Sequence, residues 1–190
     1  MGWIEDLRGK TVALDTAPLI FFIERRQPYV DLLRPFFQAV DRGELRIVTS
    51  TVTLIEVLVH PLRHGDESLT HQYNDILLSS PHIFTVPVTP ATAQTAAELR
   101  ALHNLKTPDA IPLATAINYH ADAFLTNDRD YGSITSPQIL KLRDLATSTL
   151  PPENGERHEF CGGPCSAFAR DLVLNHSPNF SLQTTATSGY

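Results

Sequence analysis

The sequence predicts an α/β protein: a three-layer α/β/α fold around a central parallel sheet of four to five strands. Three observations lead there. Short apolar runs recur between stretches with helical spacing of their apolar residues. The intervals are regular, and the intervening helices are about ten residues long, the pattern of parallel strands joined by crossover helices. The composition, 42% hydrophobic and 19% charged over 190 residues, supports one sizeable core rather than two.

Taken in order, Thr11–Asp15 is a short buried strand that ends on an acid. Pro18–Arg25 and Tyr29–Asp41 have helical patterns, and Pro35 is expected to kink or divide the second. Gly43 closes that helix before a second strand, Leu45–Thr49. Thr51–Val59 reads as a helix apolar nearly all round, hence buried, and stopped before Pro61. Leu69–Leu78 is a further helix and His82–Val86 a third strand. Ala96, Leu99, Ala101 and Leu102 give Thr92–His103 a helical face. Another helix runs from Pro108 to about His120, with Thr107 as its N-cap and Pro108 at its first position. Ala123–Thr126 is the fourth strand and Ile139–Leu142 a candidate fifth. This regular domain spans residues 1–148. Residues 149–190 read as an irregular or partly disordered C-terminal tail, with room for one short helix over Ala167–Leu174: positions 151–190 hold four Pro, four Gly and both cysteines.

Several function classes are excluded at this level. No apolar run approaches the roughly 18 residues of a membrane helix; the longest, Pro18–Ile23, has six. Glu5 and Asp6 stand where a secretory leader would be basic, and Asp6 stands where a myristoylation signal has Ser or Thr. Cys161 and Cys165 are too few for a disulfide framework, so a reducing, cytoplasmic setting is expected. The net charge of −6 argues against gripping nucleic acid by bulk charge. It leaves room for a polyanionic substrate, because a divalent cation inverts the sign of an acidic site. His158, Cys161, Cys165 and His176 in the tail are a weakly specific zinc-ligand set, weighed against an inert tail.

In a parallel α/β sheet, chemistry collects at the carboxyl ends of the strands. Asp15 ends the first strand, Asp128 and Asp130 follow the fourth, and Asp109 opens the helix that leads into it. Glu56 lies in an apolar helix with no Lys or Arg between Arg46 and Arg63, so burial there requires a distant partner or a metal. Each acid also admits a structural reading: Asp15 and Asp109 as helix caps, Asp128 in a polar turn, Glu56 reaching solvent or a distant arginine. Together the acids point elsewhere, because like charges brought into one place repel unless a cation neutralises them. Hard oxygen donors without accompanying His or Cys favour Mg²⁺ or Mn²⁺. Such ions serve phosphoryl chemistry by polarising phosphate and acidifying water.

Four segments then resemble a known family: Val12–Ile20 around Asp15, Thr49–Val57 around Glu56, Thr107–Ala116 around Asp109, and Leu125–Tyr131 around Asp128 and Asp130. Their order, with 41, 53 and 19 residues between successive acids, is similar to that of the PIN-domain ribonucleases, and within them of the VapC-like toxins of toxin–antitoxin pairs. The resemblance covers about residues 10–145. It implies an acidic pocket of Asp15, Glu56, Asp109 and Asp128, in which Asp15, Asp109 and Asp128 bind Mg²⁺ or Mn²⁺ and Glu56 binds directly or through water. It further implies that Thr16, Ser50, Thr126 and Asn127, with Asp130, support the carboxylates. The implied activity is metal-dependent RNA hydrolysis leaving 5′-phosphate and 3′-hydroxyl ends. A cognate antitoxin and a homodimer are the implied partners, with no membrane. On this reading Arg25, Arg26, Arg63, Lys106 and Arg129 are the candidate RNA contacts, and residues 24–34 and 60–71 are the segments expected to meet substrate or partner. The tail of about 40 residues departs from many such toxins, which leaves a housekeeping RNA-processing nuclease and a non-catalytic RNA- or protein-binding module as alternatives. A haloacid-dehalogenase phosphatase is disfavoured because Ala17 stands where its second Asp is needed, and Lys141 is a poor match to a receiver domain.

Overall fold

A computed structural model of the chain describes residues 2–131 and 134–149. The expectations for residues 150–190, including the zinc-ligand set, lie outside them. After a short 3₁₀ turn, Glu5–Leu7, the elements are β1 (Thr11–Leu14), α1 (Thr16–Ile23), α2 (Tyr29–Asp41), β2 (Arg46–Ser50) and α3 (Thr51–His64). They continue with α4 (Glu67–Asn74), a π-helical turn (Asp75–Ser79), β3 (Ile83–Val86), α5 (Pro90–His103) and α6 (Thr107–Asn118). The last are β4 (Ala123–Thr126), β5 (Gln138–Lys141) and α7 (Leu142–Thr149). The five strands form one sheet in the order β3-β2-β1-β4-β5, every pair parallel. Strand order reverses at β1, with β2 on one side and β4 on the other, so the carboxyl ends of β1 and β4 flank the switch point where ligands collect.

The register places Ala13 beside Val48 on one side and Phe124 on the other. These three pack with Ala96 and Leu99 of α5 and Ala110, Leu113 and Ala114 of α6 in one buried cluster. The small residues of α6 let that helix lie close on the sheet. Strand residues of opposite parity, Val12, Leu14, Ile47 and Leu125, are equally buried and point to the other face. Leu19 of α1 and Leu33, Phe36 and Phe37 of α2 are fully buried, and Phe22 stacks on Phe37 at 4.0 Å between ring centres.

Three expectations need correction. Pro35 does not divide α2: the helix runs unbroken from Tyr29 to Asp41. Pro35 and Asp31 both lie on the exposed face, so the carbonyl that loses its N–H donor is hydrated. Nor does Pro61 stop α3, which continues to His64 and ends where Gly65 turns left-handed at φ 65°. And α3 is not buried all round: Ile55 and Leu62 are 63% and 64% exposed, with Val59 between them. Smaller shifts concern α6, whose N-cap is Lys106 rather than Thr107, and α7, which the sequence pattern did not reveal. Among the described residues no helix is long and apolar enough to cross a membrane.

Gly43 ends the α2 connection at φ 71°, and a Cβ built there would meet the His82 ring at 3.1 Å. Gly43→Ala is therefore expected to destabilise the domain by about 1–2 kcal/mol, the cost of a left-handed non-glycine residue. Urea denaturation reads this directly; an unchanged midpoint would mean that the turn relaxes without cost.

Candidate active site

Asp15 sits where β1 gives way to α1, in extended conformation (φ −74°, ψ 167°). One carboxylate oxygen, Oδ1, accepts the Thr16 backbone N–H at 2.8 Å. The other, Oδ2, accepts the Thr126 hydroxyl at 2.6 Å. The parallel pairing of β1 with β4, which sets Leu14 beside Leu125, brings these distant residues together. Asp15 thus does cap α1, as the structural reading allows, and it also joins two strand ends.

Glu56 reaches the same place from α3. Its Oε2 accepts the Thr16 hydroxyl, so consecutive residues 15 and 16 connect two of the candidate carboxylates. Two further contacts hold α3 there. Ser50 is fully buried and its hydroxyl caps the helix by accepting the Val52 N–H at 3.2 Å. Thr49 bonds the Leu14 carbonyl at 3.0 Å and meets the Thr53 hydroxyl at 2.9 Å. Ser50 therefore acts on Glu56 through the helix that carries it. Thr49 and Thr53, which sequence reasoning missed, lock that helix to β1.

Asp109 lies in the first turn of α6. Asp128 follows β4: its backbone N–H donates to Thr126 Oγ1 at 3.0 Å, and its own Oδ1 accepts the Asp130 N–H at 3.2 Å. The turn over 128–130 is thus both a polar turn and a means of pointing an acid at the sheet edge.

The acids lie near enough to act on one another electrostatically. Burial pushes the Asp15 carboxyl up from 3.8 to about 6; the bonds from Thr126 and Thr16 counteract this, and the charges of Glu56 and Asp109 add to it. Asp109 is also raised, by burial and then by Asp128, with Lys106 opposing and Asp130 reinforcing. The buried Tyr131 phenol is raised by burial and then by Asp15, Asp109, Asp128 and Glu56 together, so a single hydroxyl feels all four. Among the described residues the ion pairs are Arg8 with Glu5 and Glu44, Arg26–Glu24, Arg34–Asp31 and Arg42–Glu44; none includes any of the four acids.

The donor set fits a hard divalent cation: all oxygen, several carboxylates, one of them half-buried and repelled by its neighbours without an ion-pair partner among the described residues. As they stand, no three acidic, histidine or cysteine side chains among the described residues are close enough to hold one ion. Existing hydrogen bonds explain the separation, because Glu56 is engaged with Thr16 and Asp128 with its own turn.

The candidate basic residues divide. Lys106 precedes Asp109 and lowers its pKa, and Arg129 is exposed between Asp128 and Asp130. Arg26 is paired with Glu24 at 2.6 Å. Arg25 lies just beyond α1 with φ 54°. Arg63 lies seven residues after Glu56, about 10 Å further along the helix. Besides Thr49 and Thr53, two more site residues were not singled out from the sequence. Tyr131 donates its hydroxyl to the Asp109 carbonyl at 3.0 Å, tying the turn after β4 to the start of α6. Arg143, near the start of α7, donates to the Asn127 carbonyl. Tyr131→Phe keeps the ring but loses that bond, and is expected to lower stability by about 1 kcal/mol. An unchanged denaturation midpoint would argue that the phenol tie is idle.

A family model for the PIN domain matches residues 12–135. The chain belongs to the PIN domain family. Solved structures agree on the PIN fold. A chain of VapBC2 from Rickettsia felis, bound to a DNA fragment from its promoter, aligns with TM-score 0.54 at 17% identity, over 69% of this chain and 98% of that one. A chain of a toxin–antitoxin complex from Klebsiella pneumoniae gives 0.51 at 24% identity, over 70% and 97%. A chain of DNA-bound VapBC from Salmonella typhimurium gives 0.53 at 17% identity, over 70% and 98%. No curated protein matches the chain. The sequence resemblance to PIN domains is thus borne out, and the shared part ends before the C-terminal segment.

Proposed function

We propose that this PIN domain is a Mg²⁺- or Mn²⁺-dependent endoribonuclease and the toxin member of a toxin–antitoxin pair. The observation that carries the proposal is the half-buried Asp15 carboxylate, fixed by Thr126 and Thr16 at the switch point of the sheet and repelled by Glu56 and Asp109. Such an arrangement is costly for folding alone and useful for holding a cation. Asp15, Asp109 and Asp128 would hold the metal, with Glu56 beside it. When bound, Mg²⁺ or Mn²⁺ polarises a phosphodiester and lowers the pKa of water.

The chain's own residues do the rest. Thr126 and Thr16 orient Asp15 so that its remaining lone pairs face the pocket. Glu56, once released from Thr16, accepts a proton from the attacking water. Lys106 and Arg129, beside the acids, contact the RNA phosphates; Arg25, Arg26 and Arg63 belong to a more distant track for the strand. A cytoplasmic location is part of this reading. The toxin–antitoxin complexes among the structural neighbours support an antitoxin as partner. The large apolar side chains Ile55, Val59 and Leu62, at helical spacing on the outer face of α3, support a protein partner, the antitoxin or a second copy in a homodimer.

The test is cleavage of single-stranded RNAs by the purified chain with Mn²⁺ or Mg²⁺ and with EDTA. Metal-dependent products with 5′-phosphate and 3′-hydroxyl ends are expected. Cleavage that persists in EDTA, or ends in a cyclic phosphate, would overturn the proposal; no cleavage under any condition would favour a non-catalytic binding module.

A further inference from the structure

We infer that Arg143 is a positioning residue of the acidic site, acting on Asp15 and Asp128 through a single peptide group. The inference rests on the proposed metal-binding role of those acids. The register of the last two strands creates the contact: Thr126 pairs with Lys141, and α7 begins at the next residue, so Arg143 emerges beside Asn127. Its Nη2 donates to the Asn127 carbonyl. The N–H of that same peptide group belongs to Asp128 and donates to Thr126 Oγ1 at 3.0 Å. The Thr126 hydroxyl then donates to Asp15 Oδ2 at 2.6 Å.

A guanidinium, a peptide group and a hydroxyl are thereby linked in series, every donor oriented toward the half-buried carboxylate. A cation on the carbonyl polarises the peptide and makes its N–H a stronger donor. That in turn makes the threonine hydroxyl a stronger donor to Asp15, with each bond strengthened by about 10–30%. The series also fixes the Asp128 backbone, and with it the direction of a second candidate ligand.

Arg143 is suited to this use. It is half-buried, and among the described residues it has no carboxylate partner, so its charge is not cancelled locally. Its Nε and the Asn127 Oδ1 are both buried without a hydrogen-bond partner among the described residues. A donor and an acceptor are therefore left over on two residues already joined, and a side-chain rotation that pairs them makes the contact a two-point one. A lysine offers only a point donor in that place.

The test uses the full chain in EDTA, followed by Mn²⁺ titration, for the wild type, Arg143→Gln, Arg143→Lys, Thr126→Val and the Arg143→Gln/Thr126→Val double variant. In EDTA, Arg143→Gln is expected to move the Asp128 amide resonance upfield and speed its hydrogen exchange, with Arg143→Lys in between. In the titration, Arg143→Gln is expected to weaken Mn²⁺ binding by about tenfold, as losses of outer-shell partners do. Once Thr126→Val has cut the series to Asp15, Arg143→Gln should weaken binding by clearly less than tenfold, the remainder being its hold on the Asp128 backbone. An Asp128 amide that stays in place in both Arg143 variants, or losses that add in the double variant, overturns the inference. Should Arg143→Gln fail to fold, the Asp128 amide of Arg143→Lys decides. Should the wild type bind no Mn²⁺, the proposed function fails, and the amide still decides whether Arg143 acts through the peptide.

Discussion

Asp15→Asn is expected to abolish RNA cleavage while making the metal-free protein more stable. Loss of activity follows because the neutral amide keeps the Thr126 contact but removes the charge at the centre of the site. The gain in stability follows from linkage. The folded pKa of Asp15 lies near 6 against 3.8 unfolded, so the folded state holds the proton more tightly. That preference contributes fully below pH 3.8 and fades as pH rises toward 6. Above about 6, ionised Asp15 costs the fold roughly 3 kcal/mol, at about 1.4 kcal/mol per unit of pKa. Asn at this position avoids the cost but, with a single acceptor oxygen, gives up the bond from the Thr16 N–H, about 1 kcal/mol, so a net gain remains. The melting temperature of the variant in EDTA should therefore exceed that of the wild type at neutral pH, and the difference should shrink on acidification. A variant less stable than the wild type at neutral pH would show that the carboxylate is a structural asset.

Mn²⁺ is expected to raise the stability of the wild type above pH 6 and to flatten the dependence on pH. A ligand that binds only the folded state at a hundred times its Kd contributes about 2.7 kcal/mol. Binding requires ionised carboxylates, so the contribution grows as pH rises through the range in which Asp15 loses its proton. Metal-free protein should lose roughly 3 kcal/mol over that range, and loaded protein should stay nearly level. Thermal denaturation with Mn²⁺ and with EDTA across pH 4–8 separates the two curves; curves that stay parallel would argue against a cation on these acids.

What the sequence disclosed and what it hid have different physical origins. β4 was legible to the residue and β1 to within one, because short, wholly buried strands read as bare apolar runs. The acids at their ends were legible because the strand-end rule assigns meaning to position. Pro35 and Pro61 misled because a missing helix bond costs little where water or packing compensates, and neither is visible in local sequence. The exposure of Ile55 and Leu62 was hidden because an all-apolar helix is ambiguous between deep burial and an open face. Ser50 read as support for a carboxylate; its observed bond caps the helix that carries one. Tyr131 and Arg143 act through main-chain carbonyls, and a contact with a backbone atom leaves no pattern in side-chain chemistry. Arg143 was harder still, since α7 itself was not foreseen.

The central claim is that Asp15, Glu56, Asp109 and Asp128 converge on one hard cation. Anomalous diffraction from crystals grown at neutral pH with Mn²⁺ tests it most directly. The expected result is an anomalous peak bounded by carboxylate oxygens of Asp15, Asp109 and Asp128, with Glu56 turned from Thr16 toward it. A peak elsewhere on the molecule, or acids found paired with arginine or lysine side chains, would contradict it.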